Sequence, residues 1–220
     1  MLEASALGAS GYSKREGALD SRVEVVLSKA FAVGVQGGVF LKSDGFTVRD
    51  LNLTGVWRVL QTPSAQITLR PGLNLPTGGL GGGLSFTPTS TSSVDPTLGA
   101  EAVVGGRYVL AASAHVRVPL YKGYDTVRQG VYIQTDLRGA VPLFNSVVWA
   151  GMSYVKTTSA DNNLGRFHEV AATAGGVWTF HERASLNLAL RVPLEQGPIN
   201  GYRVAGMTGV TWVVGKRPRG

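Results

Sequence analysis

The chain has 220 residues, 30 of them glycine, no cysteine, and a formal net charge of +7. That length suffices for one large β domain or two small ones. Lack of cysteine excludes disulfides and thiolate metal sites, and no apolar run reaches the roughly 18 residues of a membrane-crossing helix.

Taken in order, the chain is a succession of alternating segments, and a period of two sends successive side chains to opposite faces of a sheet. Residues 2–12 read as a weak strand and 13–20 as a polar loop. Residues 21–27 set Val23, Val25 and Leu27 against Arg22 and Glu24; residues 31–41 set Phe31, Val33 and Val35 against Gly34, Gln36 and Gly38. After turn chemistry at 43–45, residues 46–59 place Leu51, Leu53, Trp57 and Val59 opposite Asp50, Asn52, Thr54 and Arg58. Residues 65–75 set Ile67, Leu69 and Leu73 against Gln66, Thr68, Arg70 and Asn74. The longest loop, 77–96, is rich in Gly, Ser and Thr. A hairpin about Gly105-Gly106-Arg107 joins 98–104 to 108–120, with Glu101, Ser113, His115 and Arg117 on its polar side. Next come a loop at 121–125, a strand at 127–137 with Tyr132, Gln134 and Asp136 on one face, a turn at 141–145, a strand at 147–155 and a polar loop at 157–165.

Residues 169–197 give the clearest hairpin. Val170, Ala172, Ala174, Trp178 and Phe180 alternate with polar residues before His181-Glu182-Arg183, and Leu186, Leu188, Leu190 and Val192 alternate after it. Symmetric pairing about Glu182 sets Trp178 opposite Leu186, Ala174 opposite Leu190 and Val170 opposite Leu194. A loop at 197–201, a strand at 204–214 and a basic tail at 215–220 finish the chain.

The pattern predicts one all-β domain over residues 1–220: a single antiparallel up-and-down transmembrane β-barrel of about 12 strands, each long enough to cross a bilayer obliquely. Loop lengths support this. Short turns near Lys29, Gln61, Gly105, Pro142 and Glu182 alternate with mostly longer polar loops, as on the two rims of an outer-membrane barrel. Trp57, Trp149, Trp178 and Trp212 all fall near the short-turn rim, an expected aromatic girdle that Phe31 and Phe180 join. Tyr12, Tyr121, Tyr124, Tyr154 and Tyr202 gather toward the other rim.

If the apolar face meets lipid, charge must turn inward. The expected lumen carries Arg22, Glu24, Asp50, Arg58, Arg70, Asn74, Glu101, His115, Arg117, Asp136, Arg138, Glu169, Arg191 and Arg203, of which Arg58, Arg70, Asn74, Glu101, His115, Arg117, Asp136 and Arg191 are the candidate solute path. Two readings of the arginines stand side by side: a surplus that favours anions, or structural cations each matched by a carboxylate.

Short echoes recur. His115-Val-Arg-Val-Pro-Leu-Tyr-Lys-Gly123 is similar to Ala189-Leu-Arg-Val-Pro-Leu-Glu-Gln-Gly197, and Leu73-Asn-Leu-Pro-Thr-Gly78 is a looser copy. Pro76, Pro119 and Pro193 each mark a strand's end, because proline donates no ladder hydrogen bond. A strand ending in LNLPTG or RVPL before a glycine-containing loop resembles the outer-membrane β-barrel family of transporters of the phenol-degradation meta pathway. The resemblance implies a monomeric barrel in the bacterial outer membrane that passes small molecules, aromatic or apolar ones among them.

Other chemistry is sparse. The net charge is compatible with nucleic acid, anionic lipid or anionic solutes, but the arginines stand singly until Lys216-Arg217-Pro218-Arg219, without a nucleic-acid footprint. No histidine spacing suits zinc, and Gly78-Gly79-Leu80-Gly81-Gly82-Gly83 lacks the lysine of a phosphate cradle. Ser113, His115 and Glu101 could serve a barrel hydrolase, though they match no hydrolase motif. No cofactor is expected. No signal peptide follows Met1-Leu2-Glu3, so an exported form would be mature or trimmed. The reading is therefore a porin or transporter, not an enzyme, with the lipid bilayer and a small anionic or aromatic solute as partners. A barrel hydrolase and a soluble barrel around an apolar ligand are the alternatives.

Overall fold

The computed structural model describes residues 2–11, 15–42, 45–77, 94–120, 130–158, 167–196 and 202–214. The loops expected at 77–96, 121–125, 157–165 and 197–201 fall largely outside these residues, as do the basic tail and Tyr12, Tyr121 and Tyr124.

All regular structure in the described residues is strand. In order these are β1 (Leu2–Gly11), β2 (Arg15–Val26), β3 (Phe31–Lys42), β4 (Gly45–Val48), β5 (Leu51–Gln61), β6 (Ala65–Leu75), β7 (Asp95–Gly105), β8 (Val109–Arg117), β9 (Tyr132–Leu143), β10 (Ser146–Thr157), β11 (Phe167–His181), β12 (Ala184–Gln196) and β13 (Tyr202–Trp212). They form one 13-stranded antiparallel sheet. β1 pairs with both β13 and β2, and β2 pairs with β3, so the order returns to its first strand. β4 and β5 lie in succession along one side of β3, which reconciles the segments with the about twelve strands the pattern predicts.

The two faces of this sheet reverse the usual polarity. Val33, Val35, Leu53, Leu73, Leu98, Leu110, Leu137, Met152, Leu188, Leu190 and Val210 are all exposed. Glu24, Asp50, Thr68, Asn74, Asp95, Thr97, Arg117, Ser153 and Glu169 are buried. A water-soluble domain puts its aliphatic side chains inside and almost never buries so many charges. A bilayer wall demands this inversion, since hydrocarbon solvates leucine and rejects carboxylate.

The strands depart from the expected pattern where the ladder shifts. Residues 15–20 are strand and not loop, and Asp20 faces the buried side in contact with Arg49. Residues 46–59 do not run unbroken. Val39 pairs with Val48 but Gln36 with Asn52, so one extra residue sits between Val48 and Leu51 as a β-bulge. Phe46 and Val48 are exposed before the bulge, Leu51 and Leu53 after it, and Arg49 and Asp50 are both withdrawn between them. In the 169–197 hairpin, Trp178↔Leu186 and Ala174↔Leu190 pair as expected. Val170 meets Glu195 and not Leu194, because the register shifts once Ala171 has paired with Pro193, whose nitrogen carries no proton. Within β5–β6 the pairing is interrupted beside Pro71 without a change of register, and the register shifts between Arg58↔Thr68 and Leu60↔Ile67.

Asp20 and Arg49 meet across Gly38 of β3. A Cβ at Gly38 would run into the Leu19 carbonyl and lie 2.5 Å from Asp20 Oδ1. Gly38→Ala is expected to cost about 1–3 kcal/mol by overpacking, read as a lower urea midpoint for the protein folded in lipid vesicles. A midpoint equal to wild type would mean that the Asp20–Arg49 pair does not need that space.

Of the four tryptophans, three are exposed near short turns. Trp57 stacks on Phe31 across the β3–β5 ladder at 5.9 Å, Trp178 lies 6.2 Å from Phe180, and Trp212 stacks on His181 at 6.2 Å. Trp149 departs from the expected girdle. It shares the buried phase of β10 with Gly151, Ser153 and Val155, while Met152 and Tyr154 are exposed. The Arg138 guanidinium lies 4.9 Å over its ring. Its cross-strand partner Gly175 leaves the space: a Cβ there would come within 2.5 Å of Trp149 Cζ2. At the β9–β10 turn Phe144 is fully exposed with φ 52, a left-handed backbone uncommon for a bulky residue.

Candidate functional site

The buried polar face gathers charged side chains from eight of the strands and the bulge. Each basic group is seated by a neighbour. In β2, Arg22 Nη2 donates to Glu24 Oε2 at 2.8 Å. Arg70 of β6 and Glu101 of β7 are 3.5 Å apart. Arg117, the last residue of β8, lies 3.7 Å from Asp95, the first of β7. Arg138 reaches Asp136 at 3.6 Å. Arg191 of β12 donates from Nε to Glu169 Oε1 at 2.7 Å and from Nη1 to Ser153 Oγ at 2.9 Å, so it spans β10, β11 and β12. Arg58 differs: its Nη1 donates to the backbone carbonyl of Lys29 at 3.0 Å.

The neutral candidates fit the same pattern. Asn74 Nδ2 donates to Asp50 Oδ2 at 2.8 Å. Asp136 accepts from Gln134 Nε2 at 3.0 Å and from Ser113 Oγ at 3.3 Å. His115 meets Tyr132 edge-on at 6.4 Å between ring centres. Glycines make room beside the long side chains: a Cβ on Gly99 would lie 3.2 Å from Arg70 Cβ and 3.5 Å from His115 Cδ2. All eight candidate solute-path residues thus lie on one face of the sheet, whereas Arg203, at the start of β13, is exposed.

Sequence reasoning missed several members. Arg49 and Asp20 were hidden by the bulge and by the reading of 13–20 as loop. Asp95 falls within the stretch that reads as the long loop. Tyr132 stands on the polar face, where an aromatic residue in a charged phase is a usable signal.

A family model described as "Putative MetA-pathway of phenol degradation" matches residues 3–208. The chain belongs to that family. No curated protein matches the sequence. Among solved structures, the phenol-degradation family member is similar to the COG4313 outer membrane channel from Pseudomonas putida F1, at 14% identity and TM-score 0.72 over 97% of this chain and 94% of that one. It is also similar to the NanC porin, at 8% identity and TM-score 0.67 over 97% and 100%, and to the KdgM porin, at 6% identity and TM-score 0.59 over 97% and 99%. At these identities the likeness is one of fold, and the fold is that of outer-membrane β-barrel channels. Its apolar exterior suits the same location, the outer membrane of a bacterium.

On this family fold the hydrolase constellation does not assemble. The Ser113 hydroxyl goes to Asp136, His115 packs on Tyr132, and Glu101 pairs with Arg70. A nucleophile needs its base within hydrogen-bond reach, and Ser113 spends its proton on a carboxylate already bonded to Gln134. Among the described residues no group of three or more His, Asp or Glu is placed to hold a metal.

Proposed function

We propose that this protein is a monomeric outer-membrane channel that passes small solutes through a polar, arginine-bearing lumen. The observation that carries the reading is the inverted sheet: aliphatic side chains exposed on one face, and on the other Glu24, Asp50, Asn74, Asp95 and Glu169 buried, with Glu101, Asp136 and the arginines turned to the same side. Detergent dependence tests it directly, since a soluble barrel of this size would stay monodisperse in plain buffer.

The ion pairing supports matched arginines over a free surplus. An anionic or aromatic acid solute would meet guanidinium chiefly at Arg58, held by a carbonyl, and at Arg138, whose side chain is 42% exposed. The double replacement Arg58→Ala with Arg138→Ala is expected to lower anion preference in planar bilayers, read as a shift of reversal potential in a salt gradient. Each removed charge sits within about one Debye length, roughly 8 Å, of solutes in a narrow passage. An unchanged reversal potential would count against arginine-dependent selectivity.

A further inference from the structure

The buried face is not uniform along the strands. Asp95, Arg117 and Tyr132 sit at strand ends next to the long loops; Glu169 is the third residue of β11 and Asp136 the fifth of β9. Side-chain exposure there is 0% for Asp95 and Glu169 and 9% for Arg117 and Asp136. Nearer the strand middles, Arg70, Glu101 and Arg138 reach 33%, 37% and 42%. Asp95, Arg117, Asp136 and Glu169 thus form a closed level toward the long loops, more shut off from water than Arg70, Glu101 and Arg138.

Tyr132 stands at the centre of the closed level. It is 5% exposed and packs on the fully buried Val155. The Arg117 guanidinium lies 5.7 Å over its ring, and its hydroxyl donates to Gln134 Oε1 at 2.8 Å. Its ring is held from the strands on both sides, by Arg117 of β8 and Val155 of β10.

We infer that Tyr132 is the narrowing element of the passage, a phenol ring seated under the Arg117 guanidinium that sets the size limit near the long-loop end. This deepens the channel reading and rests on it. The ring is neutral, and the charges about it, Asp95, Asp136, Glu169, Arg117 and Arg191, stay when it is removed. Width and charge selectivity are therefore separable at this level.

Single-channel recording in planar bilayers tests the assignment. Tyr132→Ala is expected to about double the conductance or more, with little change in reversal potential, because a filter's width and its fixed charge act independently. Tyr132→Phe, which keeps the ring, is expected to conduct as wild type, and Asn187→Ala, on the open part of the same face, likewise. Should Tyr132→Ala fold poorly, Tyr132→Leu gives the same comparison with an intermediate rise. Wild-type conductance in a folded, inserted Tyr132→Ala or Tyr132→Leu protein overturns the inference while leaving the channel reading standing. No conductance steps from any inserted variant, wild type included, overturns the channel reading itself.

Discussion

Leu190→Arg is expected to destabilise the protein in the bilayer by about 2–4 kcal/mol, the cost of a guanidinium on the lipid side of a barrel near the midplane. Leu190 is 59% exposed and lies mid-way along β12, between Ala174 and Gly206 on the neighbouring strands. Asn187, three residues earlier on the same strand, faces the other way and shares a hydrogen bond with Thr211 at 3.0 Å. Asn187→Arg is expected to cost no more than about 1 kcal/mol, the value of the hydrogen bond it gives up. Urea unfolding of the two variants in lipid vesicles compares them directly. In a water-soluble barrel the order reverses: an exposed Leu→Arg change stays within about 0.5 kcal/mol, and an arginine thrust inward is the damaging one. Equal or reversed costs would therefore remove the membrane wall from the account.

The same alternation explains what the sequence could disclose. Trp178 and Leu186 pair as symmetric counting about Glu182 gives, because the register shift between Thr179 and His181 offsets the two-residue turn. Leu190 and Arg191 are adjacent and chemically opposite, so the faces of β12 are unambiguous. Counting fails where a residue is inserted. The bulge at Arg49 and Asp50 turns two consecutive side chains to one face, which strict period two forbids, so a phase read from Asp50 onward loses Arg49. Trp149 fails for another reason. Hydrophobicity alone puts an indole with the lipid-facing residues, whereas Gly175 opposite and Arg138 above it make a flat inward seat. Neither partner is near it in sequence, so the seat exists only once β9, β10 and β11 are side by side. The pairing of Arg117 with Asp95 was hidden because the strand β7 begins inside what reads as a glycine-rich loop.

Arg191→Ala is expected to be among the most damaging single changes on the polar face, at about 3–5 kcal/mol. Glu169 has no exposed surface, and Arg191 donates to it and to Ser153. Removing the guanidinium strands a carboxylate that water cannot reach, in a wall surrounded by hydrocarbon. The charge, more than the lost contact, is what costs. Glu169→Gln in the same background should then recover most of the loss, since a neutral amide needs no counter-charge. A double-mutant cycle on Arg191→Ala and Glu169→Gln, by urea unfolding in vesicles, is expected to show coupling well above the about 0–1 kcal/mol of a solvent-exposed pair. Additive costs would mean that Glu169 stays neutral or finds other compensation, and that the arginines are free to face the solute after all. The rescued double variant also separates stability from conduction: a folded barrel without either charge, whose passage still carries the Tyr132 ring.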